Sequence, residues 1–215
     1  MNRFRACANA SLFLVVLLSA CGEDSTSTPV QGFSERLEES FTVVDLSVLR
    51  VSNFAGKVIV RQGSTGVINV VATKRAARAE DLDQLDVLMV ALQNGVEVSA
   101  TNSLQLIQVS VDFEITAPPD VQPLIQVAAG SIDYEGSGIG QSSLMIAAGS
   151  VTVRLPADVN VEVLLTVGAG TISISFPVVG LVEDQRIDGI IGTGVDGRIE
   201  ASVAAGEIVV SPQQQ

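Results

Sequence analysis

The chain has 215 residues, with 12 Lys and Arg against 24 Asp and Glu, no histidine and no tryptophan, for a net charge of −12. An acid surplus of this size repels phosphate backbones and disfavours a nucleic-acid partner. Only Cys7 and Cys21 carry thiols, so once a leader ending at residue 20 is removed and Cys21 is used, no disulfide or thiolate metal site is left and packing alone must hold the fold.

The first element is a leader. Arg3 and Arg5 precede an apolar run from Ala10 to Leu18, followed by Ser19-Ala20-Cys21 and the polar tract Gly22–Pro29. Charge, apolar run and small residues in that order make an export signal with a cleavage site. The run is roughly half of the about 20 residues a membrane span requires. A cysteine just after the small residues resembles the lipobox of bacterial lipoproteins. That resemblance implies a multiply acylated Cys21 as the mature N-terminus and attachment to a membrane through lipid. Gly22, where an Asp would retain such a protein at the inner membrane, implies the outer membrane of a two-membrane envelope. The expected organisation is a signal peptide over 1–20, a lipid anchor and flexible tether over 21–40, one domain over 41–211 and a tail over 212–215. A coil of the tether's length spans roughly 25 Å.

From Phe41 the pattern has period two, the signature of strands with one buried face. It is plain in Ile107, Val109, Val111, Phe113 and Ile115, ending at Pro118-Pro119, and in Val159, Val161, Val163, Leu165 and Val167. Asn94-Gly95 reads as a two-residue hairpin turn. Residues 74–86 contain good helix formers, with Leu82 and Leu85 on one face. One short helix near 76–86 is expected.

A phrase recurs in the second half: Val127-Ala128-Ala129-Gly130, Ile146-Ala147-Ala148-Gly149, Val167-Gly168-Ala169-Gly170 and Val203-Ala204-Ala205-Gly206, with a degenerate copy at Asn53-Phe54-Ala55-Gly56. Gly130, Gly149 and Gly170 are spaced by 19 and 21 residues, and the step to Gly206 is 36, close to two repeats with one copy eroded. A period near 20 with a small-residue corner predicts an all-β, single-domain β-solenoid or β-helix-like stack in which each rung lies on the next. Gly56, Gly130, Gly149, Gly170 and Gly206 are its expected turn glycines, supplying positive φ or close backbone approach.

The stretch Leu49–Val60, the helix and hairpin after it, the strand Val111–Pro118, the repeated Gly-x-Ile/Val turns and Gly192–Val210 follow an order similar to that of a bacterial adhesin-like domain family. The match runs over roughly residues 41–211. The head domain of autotransporter adhesins, with its Gly-Ala-Gly-x-Ile turns, is a second resemblance. Either implies a right-handed solenoid-like fold, with no established activity and no catalytic residues to transfer. Ala-Ala-Gly replaces the polar residues common before the glycine in that family.

Other chemistry is thin. Gly192-Thr193-Gly194-Val195-Asp196-Gly197 has the G-x-G-x-x-G spacing of a dinucleotide site, but a strand-like stretch follows where a helix N-terminus is required. Asp112 with Glu114, and Asp133 with Glu135, alternate with apolar residues and so read as solvent-facing. Glu183, Asp184, Asp188 and Asp196 form an acidic loop without calcium-ligand spacing. Between residues 124 and 215 the only basic residues are Arg154, Arg186 and Arg198, too few for a cleft that holds an acidic polysaccharide. The expected function is a non-catalytic, lipid-anchored interaction, scaffold or adhesion module of a bacterial cell envelope, without cofactor or metal. Its partners would be the membrane, an envelope protein or a second copy. The alternative is a small-solute or cation sensor using the loop between Phe176 and Gly197.

Overall fold

Val and Ile alternating with polar residues favour pleated, half-buried backbone, and the described residues fold accordingly into twelve strands and one helical turn. The computed structural model describes residues 32–44 and 47–213. The leader, Cys21 and the tether before residue 32 lie outside the described residues. The strands are β1 (Phe33–Thr42), β2 (Val48–Gln62), β3 (Val67–Ala76), β4 (Asp86–Leu92), β5 (Gly95–Thr101), β6 (Val109–Ala117), β7 (Gln122–Glu135), β8 (Gly140–Leu155), β9 (Val161–Ile174), β10 (Val179–Glu183), β11 (Arg186–Ile191) and β12 (Gly197–Pro212), with α1 at Ala79–Leu82. They form one mixed sheet in the order β1-β3-β6-β2-β7-β8-β12-β9-β11-β10, with β5 and then β4 branching from β2. The sheet does not close into a barrel.

Five long strands, β2, β7, β8, β12 and β9, run parallel and pair along nearly their whole length. β7 and β8 pair with an offset of 19 residues, Leu124 opposite Ser143, although only residues 136–139 separate the two strands. The first halves of the five continue sideways into β5 and β4 at one end and β11 and β10 at the other. The second halves continue into β6, β3 and β1 at the first end.

At each half-way point the inward-facing parity changes. Val127 and Ile132, Ile146 and Val151, and Val203 and Ile208 are successive buried residues five apart. One residue per strand, Phe54, Ala128, Ala147, Gly168 or Ala204, drops out of the pairing there. These are stacked corners: each strand skips one residue at the same level, so the register offset is the same on both sides. The glycine two residues on pairs with its equivalent in the next strand, giving the row Gly56, Gly130, Gly149, Gly206, Gly170. All five have φ between 122° and 143°. A methyl group on Gly149 would overlap the Gly130 carbonyl oxygen, and one on Gly206 would overlap that of Gly149.

The core lies between the two sets of half-strands and is aliphatic. Leu49, Ile125, Leu144 and Leu165 from first halves, with Val58, Ile132, Val151 and Ile208 from second halves, are completely buried. Asn53 is one of the buried polar residues. Its side-chain amide donates to the Val111 carbonyl at 2.7 Å and its oxygen accepts from the Ala55 N–H, clipping the β2 corner onto β6.

Several expectations change. The long parallel strands do not pair in chain order, because β12 lies between β8 and β9. The stretch between Gly170 and Gly206 holds no eroded rung but the antiparallel hairpin β10–β11, which pairs with β9. β12 matches the corner glycines of both neighbours, and its insertion buries two long strand edges at once. The helix expected over 76–86 is a single turn, Ala79–Leu82, because β3 continues to Ala76 and β4 begins at Asp86. The β4–β5 hairpin turns at Gln93-Asn94, one residue early, with Gly95 already paired to Leu92. Phe33–Ser40, assigned by composition to the tether, belongs to β1, which pairs antiparallel with β3. A Glu35–Lys74 ion pair at 2.9 Å helps hold it there.

Candidate binding groove

The stacked corner carries a surface groove of about 670 Å³ across five strands. Its outward row is Ser52, Gln126, Met145 and Ser202, which are mutual register partners on β2, β7, β8 and β12. Beside it the corner residues Phe54, Ala128, Ala147 and Ala204 line the groove, and Ala100–Ser103 complete it. At about 4.8 Å per strand, the path from β5 to β12 is roughly 19 Å long.

The sequence builds this feature in two ways. Each Ala-Ala-Gly corner keeps side chains short where the strand bends, so the corner is not filled from outside. The alternation before the corner then sets a polar or flexible side chain every 4.8 Å or so across the sheet. No lining residue bears a charge, although acidic side chains outnumber basic ones two to one in the chain. The groove therefore offers apolar contact with hydroxyl and amide hydrogen bonds, and no acid, base or nucleophile pair.

One end adjoins residues 102–108, a loop pinned by the Asn102 side chain, which donates to the Leu106 carbonyl and accepts from the Leu106 N–H, each at 2.9 Å. Gln105 and Gln108 take positive φ, 52° and 59°, uncommon for residues other than glycine. Ile107, expected to point inward in the strand ending at Ala117, is 82% exposed because β6 begins only at Val109. Leu104 is also exposed. The left-handed turn at Gln108 ejects Ile107 from the strand's alternation, a step that period-two reading cannot detect.

The other candidates do not assemble into a site. Asp112 faces outward and accepts from Arg75 at 2.8 Å and from the Lys57 N–H at 2.9 Å. Asp133 pairs with Arg154, and Glu135 with Arg61 at 3.5 Å. Asp112, Asp133 and Glu135 are thus parts of ion pairs. Glu183 and Asp184 sit at the β10–β11 turn, Asp188 pairs with Arg186 at 2.8 Å, and Asp196 is in the turn before β12. Among the described residues no three His, Cys, Asp or Glu side chains come together as a metal set. Gly192–Gly197 is a turn leading directly into β12, with no helix to hold a pyrophosphate. Tyr134, the single tyrosine, is buried, and burial raises its phenol pKa while the Ser142 hydroxyl, donating at 3.3 Å, opposes the rise. Its role is in packing. Among the described residues no helix is long and apolar enough to cross a membrane.

No protein-family profile matches the sequence, and no curated protein does either. By structure the chain is similar to a candidate cell adhesion protein from Clostridium sporogenes ATCC 15579, with a TM-score of 0.52 and 13% identity, over 83% of this chain and all of that one. A candidate adhesin from Bacteroides fragilis NCTC 9343 aligns over 82% of this chain and 97% of its own, with TM-score 0.27 and 10% identity. One from Parabacteroides merdae ATCC 43184 aligns over 83% and 92%, with TM-score 0.22 and 9% identity. The Clostridium sporogenes protein superposes closely enough to bear on the fold, and the likeness is one of all-β architecture.

Proposed function

We propose that this protein is a non-catalytic interaction module of a bacterial cell envelope, held to the outer membrane through lipid on Cys21 and acting in adhesion. In this reading the domain is a short, solenoid-like stack whose corner groove is the recognition surface. The observation that carries it is the character of the groove. It spans five strands, and no titratable side chain lines it. Catalysis of acyl, glycosyl or phosphoryl transfer needs a positioned acid, base, nucleophile or metal. Recognition needs shape, apolar area and a few hydrogen-bonding groups. The fold shared with the Clostridium sporogenes protein supports the adhesion reading.

The test is site-specific photo-crosslinking in intact cells. A benzophenone amino acid replacing Gln126 in the groove should capture a discrete partner, and one replacing Thr152 on the second half of β8 should not. Equal labelling from both positions, or none from Gln126, would refute the groove as the recognition surface. Protease accessibility in the same cells reports whether the domain faces outward.

A further inference from the structure

The stack is closed at one end and half open at the other. At the β2 end both halves of the outermost long strand are covered, the first by β5 and the second by β6. At the β9 end β11 covers only residues 161–166. Past Val167, whose N–H donates to the Gln185 carbonyl at 3.0 Å, β9 is paired on one side only among the described residues. Two core rows run out at this edge. Ile132, Val151 and Ile208 are fully buried register partners, and the next in line, Ile172, is only half-buried. Tyr134, Val153 and Val210 lead in the same way to a half-buried Ile174.

We propose that this edge, Thr171–Ser175, pairs antiparallel with the same edge of a second copy of the chain, about a two-fold axis through Ser173. Three observations select a second copy as the occupant. The segment Thr171-Ile172-Ser173-Ile174-Ser175 is chemically palindromic about its centre. Antiparallel pairing centred on Ser173 therefore sets Ile172 against Ile174 of the partner subunit, and hydroxyl against hydroxyl. Like-with-like cross-strand pairs of this type stabilise sheets, and an isologous contact of this kind closes as a dimer.

The backbone polarity fits as well. The Ser175 N–H donates to Val210 of β12 at 2.9 Å. By strand alternation the N–H and C=O groups of Ile172 and Ile174 then point to the open edge. Those two residues form the hydrogen-bonded positions of the proposed pair, and Ser173 the non-bonded one, where opposing Cα atoms lie about 4.5 Å apart. The edge also lacks charge. β1, the outer strand of the same set of half-strands, carries Glu35, Arg36, Glu38 and Glu39, the usual guard against edge pairing. A hollow of about 650 Å³ between Gly170–Ile172 and the Glu183–Gln185 turn leaves room for the partner's strand to run out. Pairing does not depend on what the corner groove binds, so its failure and that of the adhesion reading are separable.

The test uses the full chain in detergent. Ser173→Cys places two thiols within the about 4.4–6.8 Å Cα range of a disulfide. Mild oxidation should give a dimer whose 173–173 linkage is identified by mass spectrometry, which separates it from links through Cys7 or Cys21. Leu88→Cys on β4 and Val182→Cys on β10 probe other exposed edges and should form no disulfide-linked dimer through the new thiol under the same conditions. Ile174→Lys should weaken the wild-type dimer at least about tenfold in sedimentation, about 1.4 kcal/mol, with an unchanged circular dichroism spectrum. A wild-type chain that sediments as a monomer with no 173–173 linkage overturns the proposal. A dimer cross-linked through Leu88→Cys or Val182→Cys in place of Ser173→Cys overturns it equally.

Discussion

The corner row makes a quantitative demand on stability that a pair of alanine substitutions can isolate. Gly149 has φ 137°, and its missing Cβ would overlap the carbonyl oxygen of Gly130. Gly66, in the turn between β2 and β3, has φ 78° and open space, since a methyl carbon there would lie 3.7 Å from its nearest neighbour, the Val43 carbonyl oxygen. Gly66→Ala therefore incurs conformational strain alone, about 1–2 kcal/mol. Gly149→Ala incurs strain of about 1–3 kcal/mol together with a clash against backbone. The Gly130 carbonyl belongs to a strand fixed by β2 on its other side, so it cannot step aside without moving the row. Overpacking of that kind costs about 1–3 kcal/mol more. Gly149→Ala should thus lose about 2 kcal/mol beyond Gly66→Ala, a large share of the roughly 5–15 kcal/mol that holds a domain together. Urea unfolding followed by far-ultraviolet circular dichroism measures both variants on one scale. If the two lie within about 0.5 kcal/mol of each other, the corners do not need glycine for close approach.

Further expectations follow from single residues. Cys21→Ser should abolish lipid labelling and membrane partitioning while leaving the melting temperature of the β-domain unchanged; a mutant still found with membranes excludes lipid attachment at this residue. Asn53→Val fits the aliphatic row but removes the partner of the Val111 carbonyl, and should cost about 1–3 kcal/mol in the same urea assay. Tyr134 titrates at higher pH folded than unfolded, so the stability it contributes is intact below about pH 10 and is lost as pH rises through the folded value. The slope should be about 1.4 kcal/mol per pH unit, absent in Tyr134→Phe, and the phenolate absorbance of the single tyrosine reports the transition directly. Ala147→Arg should place a charge in the groove and abolish the Gln126 cross-link without changing the melting temperature; an undiminished cross-link would detach partner capture from the groove.

Much of the fold can be read from spacing. Alternating Val and Ile specify strands because burial of one face repeats every two residues, and the Ala-Ala-Gly phrase marks the corner because a stacked bend repeats once per rung. The helix and the tether boundary were less legible. Lys74, Arg75 and Ala76 favour a helix by intrinsic propensity, yet pairing with β6 holds them in β3. Glu35, Arg36, Glu38 and Glu39 look like a solvated linker, yet the same charges suit an edge strand. Ile107 continues a period-two pattern numerically, and only the positive φ at Gln108 shows that the chain has already left it.

The groove was not legible at all. Ser52, Gln126, Met145 and Ser202 share no motif and lie up to 150 positions apart; register alone makes them a row. The order of the rungs is a tertiary decision of the same kind. Local sequence determined that Gly149, Gly170 and Gly206 are corners, since positive φ and absent side chains are properties of one position. It did not determine that β12 enters between β8 and β9, because parallel pairing energy is nearly indifferent to which equivalent strand supplies the partner. That choice is made by the chain's connections, with the β10–β11 hairpin sealing the outer half of β9. Among the described residues the same choice leaves Thr171–Ser175 paired on one side only.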